Sequence, residues 1–222
     1  MTRTLGTRLI VAMSLSVGFT SAVRAELGAD WFKGHEKEWA QCAPGPTVTD
    51  DQRIAGCTAI IKAGKAEPVY LSAAYAYRGA LYSKRRDFGR AIADFDQTIR
   101  LRPVNGEKSR QADRADAFDK RGYAYASKGD LDRGIRDFSE AIRLLPGDKM
   151  FSAPYVDRGE AYFFQKKYPL AKRDLDVALQ LGPRNARALY FRAQTKEKMG
   201  DNAGAGADLA AARAINPKIG QR

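Results

Sequence analysis

From about residue 72 onward, apolar and small residues recur every three or four positions, with charged residues between them. That spacing gathers them on one face of an α-helix, and no alternating run of strand length competes with it. The reading is therefore all-α. Four segments share one layout. Gly79, Gly122, Gly159 and Ala193 each stand 24 residues before a proline: Pro103, Pro146, Pro183 and Pro217 respectively. The intervals between these small residues are 43, 37 and 34. The inner distance is constant while the outer one varies, so extra residues lie between units. A period near 34 points to a helical solenoid.

Each unit repeats the same physics. Tyr82, Tyr125 and Tyr162 follow the small residue by three positions, on the same helical face. A second small residue follows at Ala91, Gly134, Ala171 and Ala205, then a large one at Phe95, Phe138, Leu175 and Leu209. Thr98, Ala141, Ala178 and Ala212 complete the pattern. Small residues let two helices approach while large ones fill the space beside them, which describes a helical hairpin. Asp87, Asp130 and Asp201 stand where a second helix starts, and Gly129 and Gly200 where the first ends. The prolines stop the second helix. Arg78, Arg121, Arg158 and Arg192 each precede the small residue, and Asp94, Asp137, Asp174 and Asp208 follow 16 positions later. These matched charges predict an ion pair between the two helices of every unit. The alternative is an arginine ladder for anions.

On these residues the chain resembles the tetratricopeptide-repeat family, with its small–Tyr–small–aromatic–Ala–Pro order. Two units read YRGALYSKRRDFGRAIADFDQTIRLRP and KRGYAYASKGDLDRGIRDFSEAIRLLP. The resemblance covers residues 71–218 as four units, about 72–105, 115–148, 152–185 and 186–218, with 219–222 as a tail. The fourth departs from it, with Lys196 in place of the tyrosine and Ala193 in place of the glycine. The resemblance implies a right-handed superhelix whose first helices line a concave groove for a peptide or partner helix. Carried over by position, the groove takes Ala73, Ala76, Ala80 and Ser83 from the first unit, and Asp116, Asp119 and Tyr123 from the second. The third supplies Val156, Glu160 and Phe163, and the fourth Arg187, Tyr190, Gln194 and Glu197. Tyr123, Phe163 and Tyr190 are the anchor candidates, because aromatics dominate recognition energetics. The family's carboxylate clamp needs Lys and Asn where this chain has Ala76 and Ala80.

The N-terminal end changes the compartment. Residues 1–8 carry Arg3 and Arg8 and no acid, an apolar stretch runs from Leu9 to Phe19, and small residues lead to Ala25. That order is a secretory signal peptide, with cleavage expected after Ala25. The apolar stretch is well short of the roughly 20 residues that span a bilayer, so no transmembrane anchor is expected. Export is expected, and the resemblance implies the periplasm of a bacterial envelope. Cys42 and Cys57, the only cysteines, then meet an oxidising compartment and read as a structural disulfide. A redox-active pair is the alternative. Residues 26–70 read as a degenerate helical hairpin covering the first unit, with Trp31, Phe32, Trp39 and Ala40 on its first helix and Asp50 or Asp51 capping its second. The polar insertion VNGEKSRQADRADA between the first two units reads as a solvated connector.

Composition removes most enzymes. The chain has 222 residues, one histidine and a formal net charge of +12. His35-Glu36 opens like a zinc-protease helix, but there is no second histidine. No nucleophile elbow accompanies a serine, and AGAGADLAAA lacks the glycine spacing of a dinucleotide loop. No cofactor, metal or catalytic residue is expected. The functional reading is a non-enzymatic scaffold or adaptor of the cell envelope that binds an unidentified protein or peptide. The alternative is a basic surface for an anionic polymer or membrane, with no specific nucleic acid expected. The Ala-rich last helix, Ala203 to Ala214, offers a route to a homodimer through the C-terminal unit.

Overall fold

The computed structural model describes residues 34–45, 48–101, 108–148 and 151–221. The leader, its cleavage point, Trp31 and Phe32 lie outside the described residues. Ten helices and no strand occur among the described residues. The first hairpin is α1 (Glu36–Cys42) and α2 (Asp50–Ala63), the second α3 (Pro68–Lys84) and α4 (Phe88–Leu101). The third is α5 (Lys108–Ser127) and α6 (Leu131–Leu144), and the fourth α7 (Ala153–Phe164) and α8 (Tyr168–Leu181). The last is α9 (Ala186–Lys198) and α10 (Asn202–Ile215).

One turn joins the helices of the last four hairpins. A left-handed residue sits seven positions after each repeat's small residue: Arg86 (φ 61°), Gly129 (φ 89°), Lys166 (φ 59°) and Gly200 (φ 87°). The next backbone N–H donates five residues back, Asp87 to Tyr82, Asp130 to Tyr125, Lys167 to Tyr162 and Asp201 to Lys196, at 2.9–3.0 Å. This Schellman closure satisfies carbonyls that the helix end leaves open. Asp87, Asp130 and Asp201 then accept from the backbone N–H three residues on, starting the second helix. In α8 no side chain caps, and Pro169 in the first turn removes one donor instead. The cap of α2 corrects the expectation of Asp50 or Asp51. It is Thr49, in a reciprocal capping box with Gln52. Asp50 and Asp51 occupy the first turn and pair with Lys84, the last residue of α3, and Arg85 just beyond it, each at 2.6 Å.

Inside each hairpin, small residues seat large ones. A Cβ added at Gly122 would lie 2.8 Å from Phe138 Cε1, at Gly79 3.0 Å from Phe95 Cε1, and at Gly159 2.9 Å from Leu175 Cγ. Phe95, Phe138 and Leu175 are fully buried as a result. The recurrent arginines close the same seam. Arg78, Arg121 and Arg192 grip Asp94, Asp137 and Asp208 through Nε and Nη2 at 2.6–2.8 Å. Arg158 holds Asp174 at 2.6 and 3.0 Å. The remaining nitrogen of each crosses to the preceding hairpin's second helix: Thr58 (3.1 Å), Asp96 (2.5 Å), Ser139 (3.0 Å) and Asp176 (2.9 Å). Each guanidinium thus binds three helices. Burial works against the charge of Arg121, and its bonds to Asp137 and Asp96 overcome that and hold it above its ordinary value.

Thr58 fixes the register of the first hairpin. It takes the place that Asp96, Ser139 and Asp176 hold, which puts Gly56 where the other hairpins have their aspartate and Cys57 where they have Phe95, Phe138 or Leu175. A Cys42–Cys57 disulfide joins α1 to α2 at that seam, and both residues are fully buried. Gly56 lets the helices close, since a Cβ there would lie 2.7 Å from Gln41 Cβ and from the Glu38 carbonyl.

Much of the polar insertion before the second unit is helix, which corrects its reading as a solvated connector. It lengthens α5 to 20 residues. Ala117 and Phe118 pack on Ile99 and Ala141, and Arg114 Nη1 donates to the Ile99 carbonyl at 2.6 Å.

The first helices α1, α3, α5, α7 and α9 each touch the next member of that series, whereas second helices make no comparable contact with one another among the described residues. The layer whose members meet lies on the inside of the curve. No described helix is long and apolar enough to cross a membrane.

Candidate functional site

The inner layer places the groove candidates unequally. On α5, Asp116, Asp119 and Tyr123 share one face by their i, i+3, i+7 spacing. Tyr123 is 45% exposed, with its ring edge-on to Phe88. On α7, Val156 is buried in the core beneath Leu175 and Leu189, which removes it from the groove. Its neighbour Asp157, which pattern reasoning missed, takes the inward place and shares a face with Glu160 and Phe164. Arg187 of α9 spans both acids, with Nη1 2.6 Å from Asp157 Oδ1 and Nη2 on Glu160.

Asp119 stands apart. Its Oδ1 is buried and has no hydrogen-bond partner, while the residue as a whole keeps part of its surface open. Burial pushes its carboxyl well above the usual aspartate range, and the charges of Asp157 and Asp116 push it further. Lys120 and Arg187 oppose this from a distance; Lys120 is engaged by Asp116 and Arg187 by Asp157 and Glu160. Burial also raises Asp157 and Glu160, and Arg187 pulls both back. The inner face between α5, α7 and α9 is therefore locally acidic on a chain of net charge +12.

The aromatic candidates divide as well. Phe163 is half-buried in a ring cluster with Phe164, Tyr168 and Phe191, at centroid distances of 5.6, 5.9 and 5.9 Å. Phe164 is the open member at 58% exposure, although the sequence pattern had pointed to Phe163. Tyr190 is half-buried against the core with Ile219, and Gly220 lies so close that a Cβ there would be 2.7 Å from its ring. The C-terminal turn covers it, so it is not an open anchor. Gln194 is half-buried on α9.

Residues 115–148, the third hairpin less the first turns of α5, match the tetratricopeptide-repeat family model. That hairpin is a tetratricopeptide repeat. A MamA crystal structure is similar in fold, with 16% identity, a TM-score of 0.62, and coverage of 87% of this chain and 94% of that one. YrrB, whose structure is described as a tetratricopeptide-repeat protein with an unusual peptide-binding site, is 16% identical with a TM-score of 0.56, covering 77% and 79%. The second tetratricopeptide domain of human RPAP3, solved with an HSP70 peptide, is 25% identical with a TM-score of 0.50, covering 58% and 98%. Comparison with curated protein sequences gives no match. Among the described residues, no group of three or more His, Cys, Asp or Glu could hold a metal ion.

Proposed function

We propose that this chain is a non-enzymatic interaction scaffold of the cell envelope, exported with loss of residues 1–25, that binds a peptide or partner helix along its inner face. The observation that carries this reading is the exposed side chain of Tyr123 beside the unsatisfied Asp119 on one face of α5. An open aromatic next to an unpaired polar group is what a recognition surface offers and a finished core does not. Two fold neighbours support it by their descriptions, YrrB with its peptide-binding site and RPAP3 with its HSP70 peptide. The envelope location rests on the leader pattern and on a disulfide suited to an oxidising compartment.

Affinity capture from envelope extract tests it, using mature residues 26–222 and a Tyr123→Ser variant, washed at low salt and at about 0.5 M salt, where exposed charge contacts are largely screened. A discrete protein retained by the wild type at high salt and lost with the variant is the expected result. Capture of anionic polymers only, all released by salt and indifferent to Tyr123, would move the function to the basic surface.

A further inference from the structure

A buried carboxylate without a partner is costly, because burial removes its water and supplies no donor in return. Every other aspartate of the inner seam has an answer: Asp94, Asp137, Asp174 and Asp208 hold their arginines, and Asp157 holds Arg187. Asp119 has none. The two neighbouring cations are spoken for, Lys120 by Asp116 and Arg187 by Asp157 and Glu160. Four carboxylates, Asp116, Asp119, Asp157 and Glu160, thus face two cations on the inner layer.

We propose that this acidic patch, on the inner face between α5 and α7, takes a lysine or arginine side chain from an extended partner segment, which forms the ion pair that Asp119 lacks. This rests on the inner-face binding reading above and names the chemistry of its partner. Asp119 remains partly open to solvent, so a cation can reach it from the groove. Tyr123, one helical turn further along α5, provides an aromatic surface for the aliphatic stem of that side chain or for an apolar neighbour. The charge is complementary and opposite in sign to an acidic-tail clamp, whose lysine and asparagine positions are occupied here by Ala76 and Ala80. The acidic patch also lies on a chain of net charge +12, or +9 once Arg3, Arg8 and Arg24 leave with residues 1–25, which repels a cationic segment elsewhere and leaves this face as the favourable contact.

The experiment selects random dodecapeptides displayed on phage against the mature chain, then measures affinities of the selected peptides as synthetic copies. Expected are peptides with a recurrent Lys or Arg, bound about tenfold less tightly by Asp119→Asn, as for loss of one close charge pair. The same peptides with that Lys or Arg replaced by Gln should bind wild type and variant equally. Asp119→Asn removes an unpaired buried charge and is expected to fold, which circular dichroism checks; Asp119→Ser is the second variant. Selected peptides without basic enrichment, or indifferent to both variants, overturn this inference and leave the inner face as a peptide site. Failure to select any peptide overturns both.

Discussion

At the scale of single residues, the arginine seam and the unpaired Asp119 are two answers to one problem, a charge removed from water. Arg158 is 14% exposed and Asp174 is 2% exposed, so truncating one strands the other. Arg158→Ala should destabilise by about 3 kcal/mol or more in urea unfolding, while Arg158→Met combined with Asp174→Leu should recover much of that loss. For Asp119 the sign runs the other way. Its folded-state value lies above its unfolded one, so the folded protein holds that proton more tightly, and stability falls as pH rises past the ordinary aspartate range near 4. The groups facing it are Asp116 and Lys120 on α5, Asp157 on α7 and Arg187 on α9. Asp119→Asn should therefore be more stable than the wild type at pH 7, with the difference closing toward pH 3 in thermal melts. The Arg/Asp matching was legible from a constant separation of 16 residues. The third arm of each arginine was not, because its acceptors vary in type, Thr58, Ser139 and the aspartates Asp96 and Asp176.

At the scale of elements, the hairpin turn is one backbone geometry written in two chemistries. Gly129 and Gly200 adopt the left-handed conformation freely, whereas Arg86 and Lys166 carry a Cβ there. Arg86→Gly and Lys166→Gly should each stabilise by about 0.5–1 kcal/mol, measured by chemical denaturation. Gly122→Ala should do the opposite, since the Cβ would press on Phe138, a fully buried ring that has to shift; a cost of about 1–3 kcal/mol is expected for such overpacking. Glycine at a helix end is visible in a sequence, but a left-handed Arg86 is not, because arginine carries no turn signal. The α2 cap was misplaced for a related reason. Asp50 and Asp51 both suit a cap, and only the Thr49–Gln52 pair, with each side chain bonded to the other's backbone, decides the start.

At the scale of the whole molecule, each hairpin contacts its neighbours and little else, so stability propagates along a line. The first hairpin has no Arg/Asp pair at its seam and has the disulfide instead. Cys42→Ser combined with Cys57→Ser should cost about 3 kcal/mol in the chain-entropy account, and hydrogen exchange should show the lost protection concentrated in α1 and α2 rather than in α7–α10.

The repeat order, the all-helical class, the hairpin small-to-large seating and the paired charges were determined by local spacing, because each depends on residues within one unit at fixed separations. Tertiary structure decided which of the inward residues remain open. Val156 turns into the core, the C-terminal turn half covers Tyr190, and Phe164 is more open to solvent than Phe163. Asp119 and Asp157 meet only when two successive first helices lie side by side, 38 residues apart in the chain, and no local pattern encodes whether a buried acid finds its counter-ion.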